Sequence, residues 1–445
     1  MAQTKPKAAQ FYGVSGNGTA GQVLISDGNG GMSWGANTEN YTVSWATPTG
    51  QSLTYTQPNP QSSSGGPGDA FPTTTFTATK SGEEISGTAT IAGLPTGITA
   101  SQSLSGTGAD NVLTVTLTGI FPGTDSLNTA LTLSGLTIQV PLTVDYLVVA
   151  GGGSGSGYYR AGGGGAGGLR TSYGSISGGG ASAENTLSLV PATNYTITVG
   201  AGGAGASNIE GSNGSNSVFS TITSSGGGKG GRYTGSTGSS GSSGGSGGGG
   251  GGDATGGGGG AGTANQGYAG GSGASNDMQC GGGGGGAGAV GQNGGSGATD
   301  GDGGDGIQST VLNYANAGTA SVGEQISGSQ VWYGGGGGGG SYASGNDTIP
   351  GKGGGGEGTN PSTYPGNGGD GDSNTGGGGG GASGESPPGS GVGGSGGSGL
   401  VILRYPSSKT LTVSSGNLTQ SSGSPFTEGS YKISVFTGGT GNVQF

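Results

Sequence analysis

The sequence predicts an all-β protein in which a glycine-rich domain stands on a small β-sheet, and three observations carry that prediction. Of the 124 glycines in 445 residues, 97 lie between Gly151 and Gly399, far above the usual share of about 7%. Outside that stretch, apolar residues alternate in short threonine- and valine-rich runs separated by turn residues, with no helical period. Hydrophobic residues make up only 27% of the chain and charged residues 7%, too few for a conventional core under a conventional charged surface. A single enzyme domain of this length is not expected.

Residues 1–39 form the first segment. Val23-Leu24-Ile25 and Met32-Ser33-Trp34 flank Asp27-Gly28-Asn29-Gly30, which is a hairpin pattern. A lone hairpin cannot bury its own apolar face, so Val23, Leu24, Ile25 and Trp34 are expected to attach this segment to another chain. Residues 40–144 follow with the runs YTVSWA, SLTYT, TTTFTATK, ISGTATIAGLP, NVLTVTLTG and ALTLSGLTIQVPLTV. Their spacing fits an immunoglobulin-like β-sandwich that lacks the inter-sheet disulfide, read first as a spacer and second as a source of recognition loops.

The third segment spans residues 145–406. Its first strand, 145–150, runs straight into glycines, and a glycine run leads straight into its last, 400–405. These two strands are expected side by side, with 186–190, 195–199 and 218–223 completing a small sheet. Residues 407–445 alternate at 410–413 and 431–436 and end Asn442-Val443-Gln444-Phe445, which reads as a terminal β-segment folded back on that base.

Between the strands, glycine runs such as 281–286 and 334–340 alternate with polar segments. Consecutive glycines with only 17 prolines exclude a collagen helix. A flexible linker, for which the serine-rich stretch 235–252 is the best candidate, remains open, as does a glycine-rich β-solenoid. The leading expectation is a bundle of packed polyglycine II helices. In that conformation three residues make a turn, the backbone groups point outward, and the missing Cβ lets neighbouring backbones hydrogen-bond. Ordering a glycine costs about 1–2 kcal/mol and each bond returns about 0.5–1.5, so many runs must act together. Gly337 is expected to reject a larger residue, and the adjacent Ser341 is expected at the surface.

A formal charge of −11 excludes nucleic acid and anionic membrane as partners. The single cysteine, Cys280, allows no intrachain disulfide. The amino-terminal stretch has no apolar signal region and no segment reaches a membrane span, so release by host lysis is the expected route out of the cell. No histidine is present, and Lys229 and Lys352 are followed by glycine rather than by Ser or Thr, so no phosphate-binding loop is completed. No cofactor and no bound metal are expected. Asp300, Asp302 and Asp305, and Asp370, Asp372 and Asn374, have calcium-like spacing without the twelve-position loop and read as solvated acidic turns.

Recognition is expected in the segments that connect the runs, where the aromatics lie: Tyr158, Tyr159, Arg160, Tyr268, Tyr314, Trp332, Tyr333, Tyr342 and Tyr364. Such side chains offer large contact areas for sugars or protein loops. The competing reading is that Trp332, Tyr333 and some of the tyrosines fold down to cover helix ends.

The pattern G-T-A-G-Q-V-L-x-S-D-G-x-G-x-x-x-W from Gly18 to Trp34 resembles a short module of bacteriophage tail-fibre and related virion proteins. D-Y-L-V-V-A-G-G-G, then glycine runs, then G-G-S-G-L-V-I-L-R-Y-P resembles the glycine-rich domains of phage tail fibres and, less closely, the polyglycine-sandwich adhesins at the fibre tips of T-even-like phages. The resemblance implies a non-enzymatic adhesin in the virion tail, extracellular after host lysis. Its amino terminus would be held by other tail or baseplate proteins, its glycine-rich domain would bind a host receptor (a glycan or outer-membrane protein), and it would be a homotrimer. The alternatives are a structural fibre or decoration protein and a polysaccharide-degrading spike. The chain departs from the small tip adhesins in carrying its own amino-terminal and sandwich segments.

Overall fold

Alternating threonine and valine set the strands of the first unit, Met1–Pro141. A hairpin pairs β1 (Gln22–Ser26) with β2 (Met32–Ala36), Leu24 opposite Trp34. Next come β3 (Thr42–Trp45), β4 (Thr54–Thr56), β5 (Ala70–Thr79), β6 (Glu84–Ala92), β7 (Ile98–Ser105), β8 (Val112–Ile120) and β9 (Ala130–Gln139). They form two sheets, ordered β3-β9-β6 and β4-β5-β8-β7. The computed structural model describes these strands with Gly97 and Gly106, and residues 142–445 apart from 208, 276–279, 296–300, 342–347, 360–365 and 384–390. The expected turn at 27–30 lies outside the described residues.

Along β8, Leu113, Val115 and Leu117 are buried and the threonines between them half-buried, the period of two that the sequence shows. The strand β7 was not among the expected runs. It pairs with β8 alone and is largely exposed, and an edge strand in solvent needs no apolar alternation.

The second unit, Leu142–Phe445, opens with β10 (Leu142–Val149), β11 (Leu169–Thr171), β12 (Leu187–Leu189), β13 (Tyr195–Thr198), β14 (Ser217–Phe219) and β15 (Ile222–Ser224). Farther along are β16 (Ile307–Gln308), the helix α1 (Tyr314–Ala320), β17 (Glu324–Ile326) and β18 (Gln330–Tyr333). The unit closes with β19 (Leu400–Pro406), β20 (Thr412–Gly416), β21 (Thr419–Gln420), β22 (Phe426–Glu428), β23 (Tyr431–Gly438) and β24 (Thr440–Gln444). Strands β10 and β19 pair antiparallel, Val149 opposite Leu400, and β23 flanks β19.

Both faces of this central sheet are covered, which is why β10 and β19 read as continuous apolar runs. Leu147, Val149, Leu400, Ile402 and Val435 face one core with Leu312, Ala317, Val331 and Tyr333 from α1 and its neighbours. Val144, Tyr146, Val148, Val401, Leu403 and Phe436 face a second core with Ile197, Phe219 and Val443, under the sheet β15-β14-β13-β24-β20.

Three further features differ from expectation. Of the strands expected to complete the sheet of β10 and β19, only β12 pairs with β10, whereas β13, β14 and β15 belong to the second sheet with β24 and β20. The single strand expected at 218–223 is the hairpin β14–β15, which reverses at Ser220 with φ +53°. The helix α1 was not anticipated because seven residues are too few to show a period. It is fixed by Asn313, whose side chain accepts the Asn316 N–H, and ends at Ser321 in the left-handed region. Beside the sheet, Arg170 Nη2 and the Tyr146 hydroxyl both bond Glu184 Oε2, at 2.6 and 2.8 Å. Burial pushes the Glu184 carboxyl up, but these two donors outweigh it and hold the group below its ordinary range.

Above the base, hydrogen bonding changes from two-residue to three-residue repeats. The N–H groups of Ala150, Gly153 and Ser156 donate to the carbonyls of Gly168, Gly165 and Gly162. Those of Gly151, Ser154 and Gly157 go to Ser215, Ser212 and Ile209, and those of Gly152, Gly155 and Tyr158 to Gly397, Gly394 and Gly391. Every third residue therefore faces the same neighbour, and the acceptor numbers fall as the donor numbers rise, so these three neighbours run antiparallel to 150–158; others are parallel, as where Gly163 and Ala166 donate to Gly282 and Gly285. A period of three is the turn of an extended polyproline-II-type helix.

A central run, 161–168, shows how densely these runs pack. It donates to 225–231, 282–285 and 376–382, and it accepts from 150–156, 246–249 and 337–340. Six neighbours at hydrogen-bonding distance leave no room for side chains: a Cβ on Gly164 would lie 2.1 Å from the Gly153 oxygen. The serine-rich stretch 235–252 is not a linker. Gly241 donates to Gly258 and Gly249 to Gly163 within the same lattice. Ser341 is not at the surface either. It is buried, bridged to Cys280 where two runs meet.

Candidate functional site

Some runs leave the base and others return to it, so their far ends gather opposite the base. Residues 150–157 leave the base, 161–168 return to it, and Tyr158, Tyr159 and Arg160 make the turn between them. Neighbouring ends meet there: Ala382 N–H donates to Ser156, Gly340 to Ala161, Gly252 to Arg160 and Tyr158 to Gly391.

At this tip three tyrosines cluster. The Tyr159 and Tyr233 ring centroids are 5.2 Å apart, edge to face, and Tyr158 lies 6.4 and 6.1 Å from them. The Arg160 guanidinium sits 4.8 Å from the Tyr159 ring centroid and 5.6 Å from that of Tyr233, within cation–π range. All four side chains are half-buried. Tyr158 and Arg160 hold positive φ, +85° and +47°, which is costly for such side chains and recurs at ligand-binding turns. Nearby, the Lys229 ammonium, 2.7 Å from Glu210 Oε2, holds that carboxyl below its ordinary range, helped by the Ser239 hydroxyl. Tyr233 was missed in the sequence, although it follows Arg232 between two glycine runs as Tyr158 and Tyr159 precede Arg160.

The other aromatic candidates separate into two sets. Tyr268, Tyr314, Trp332 and Tyr333 lie at the base end, not with the tip cluster. The Tyr268 hydroxyl reaches Gly180, Tyr314 is 38% exposed on α1, and Trp332 is half-buried on β18. Tyr333 is completely buried, with no partner for its hydroxyl, and burial pushes its pKa up. It cannot contact a receptor, and its place in the sequence-derived set is corrected to the core of the base. Tyr342 and Tyr364 lie outside the described residues. Their neighbours Ser341 and Gly366 sit at the tip, bridged to Cys280 and Ser383.

The expected acidic turns have a different role. Asp302 and Asp305 each use Oδ1 to accept a backbone N–H, from Ile349 at 2.7 Å and Lys352 at 3.0 Å. Asn367 and Asp370 do the same for Val392 and Ser395, and Asn213 and Asn216 for Lys229 and Gly226. Each pair is spaced by three, so these carboxylates and amides, though exposed or half-buried, also take the place of a neighbouring run along the lattice edge. Asp300 lies outside the described residues and Asp372 is exposed. Among the described residues no three His, Cys, Asp or Glu side chains are grouped to hold a metal.

A family model described as a glycine-rich domain matches residues 129–406. No curated protein and no solved structure matches the chain.

Proposed function

The chain belongs to the glycine-rich domain family, and from that premise we propose that it is a non-enzymatic phage virion fibre protein or adhesin whose tip binds the host cell surface. The observation that carries this reading is the Tyr158, Tyr159, Tyr233 and Arg160 cluster at the free end of the glycine lattice. Arginine and tyrosine combine large, rigid contact area with polar reach, the chemistry of binding hot spots. The lattice fixes their positions through the backbone alone, so recognition side chains can change without disturbing the scaffold. In this reading the hairpin of β1 and β2 is the attachment to tail or baseplate proteins, and the assembled fibre is a homotrimer.

The test is adsorption of the purified full-length chain to a panel of bacterial strains, with competition against infection. Tyr159→Ala and Tyr233→Ala should each weaken adsorption by about 1–3 kcal/mol with an unchanged melting temperature, while Tyr314→Ala at the base should bind like the parent. If the parent adsorbs to no strain, or all three variants bind equally, the tip is not a receptor-binding surface and a purely structural fibre becomes the better reading.

A further inference from the structure

We propose that a cleft on the base, at the opposite end of the unit from the tip, binds a neutral saccharide of one or two rings. The cleft encloses about 430 Å³, within the range of small-molecule sites. Leu147 and Leu169 contribute to its apolar lining. The turn after β11 and the segment after β16 also line it, together with the indole of Trp332.

Its chemistry selects the ligand. Two aromatic side chains, Tyr173 and Trp332, line the space, and no Asp, Glu, Lys or Arg does. The Trp332 ring is pinned by its N–H donating to Gln330 Oε1 at 3.2 Å and by the Lys352 ammonium 5.2 Å from its centroid. The polar groups are neutral. Gln308 and Thr310 are exposed at the opening, and neither side chain is engaged with another described group. Ser309 is 8% exposed, and its Oγ accepts the Val311 N–H at 3.3 Å, which leaves the hydroxyl proton to give. The nearest cations, Lys352 beside the Trp332 ring and Arg404 5.1 Å from the Tyr173 ring, are already paired with Asp305 and Asp145, so a charged ligand would find no uncommitted counter-charge, and a wholly apolar one would bury the Ser309 hydroxyl without compensation. A sugar ring presents C–H faces to aromatic walls and hydroxyls to a rim of amide and hydroxyl groups, and so satisfies both requirements. The exposed Ile176 side chain, also on the lining, extends the apolar wall outward.

The experiment is saturation-transfer NMR on the full-length chain with maltose, lactose and N,N′-diacetylchitobiose, set against anionic sialic acid, cationic glucosamine and an apolar dye. At least one neutral disaccharide should bind, with the transfer strongest on ring C–H protons. Trp332→Ala should weaken it about tenfold or more, since the stacking face is lost. Thr310→Trp, which fills the opening from an exposed position, should do the same and decides the matter if Trp332→Ala does not fold. Tyr159→Ala, at the tip, should leave saccharide binding intact, so this result and the adsorption result can fail separately. Binding by none of the neutral sugars, binding unaffected by Thr310→Trp, equal binding of the charged sugars, or uptake of the dye alone would each overturn the proposal.

Discussion

Single positions in the lattice differ sharply in what they tolerate. A Cβ on Gly337 would lie 2.1 Å from the Gly379 oxygen and 2.6 Å from its carbon, both backbone atoms, whereas one on Gly258 meets only the Ser240 hydroxyl at 3.6 Å. Gly337→Ala should therefore cost about 3 kcal/mol or more, and Gly258→Ala should leave the melting temperature within a degree or two of the parent's, by roughly the scale of surface substitutions. Thermal denaturation of the two variants checks this; equal effects would mean that the runs are not packed. At the base, Glu184 has its carboxyl lowered by Arg170 and Tyr146. A lowered carboxyl contributes stability that is complete above its unfolded pKa and is lost as pH falls through the folded one. The melting temperature should thus fall on acidification below the ordinary glutamate range, and Glu184→Gln should be less stable at neutral pH with a shallower acid slope.

At the scale of elements, the acidic and amide residues on the lattice edge behave as substitute strands of acceptors. Asp305→Ala should cost about 0.5–1.5 kcal/mol by leaving the Lys352 N–H without its protein acceptor, Asp305→Asn should restore most of that, and chelator should change neither melting curve. The sequence showed much of this architecture and missed the rest for a common reason. The pairing of β10 with β19 was legible because glycine runs begin directly after one strand and end directly before the other, and the packing of the runs was the leading expectation because their composition excludes collagen, although a linker and a β-solenoid stayed open. Which run neighbours which is decided over hundreds of residues, so Asp302 and Asp305 read as a merely solvated acidic turn, although the Ile349 and Lys352 N–H groups lie opposite them. The same long-range order separates the aromatics: Tyr158 and Tyr268 sit in similar local sequence, yet they fall at opposite ends because the chain has reversed between them. Short elements with few side chains to mark them, such as α1 and the reversal at Ser220, were invisible to periodicity.

At the scale of the molecule, the base extends past the span shared with the family. Truncation after Pro406 keeps all of the matched residues, yet it removes Ile433, Val435, Phe436 and Val443, all fully buried, and the strand partners of β19 and β13. The shortened chain should fail to fold, seen as loss of protease resistance and aggregation; a soluble, protease-resistant product would show that the lattice stands without its base. The threefold turn of the runs also imposes an arithmetic on their length. Adding Gly-Gly-Gly within 334–340 would return every later residue to its original facing about 9 Å farther out, while adding one or two glycines would rotate them by about 120° or 240° toward the wrong neighbours. Length variation in this part of the chain is thereby quantised, and the tip can rise or sink over evolutionary time only in whole triplets.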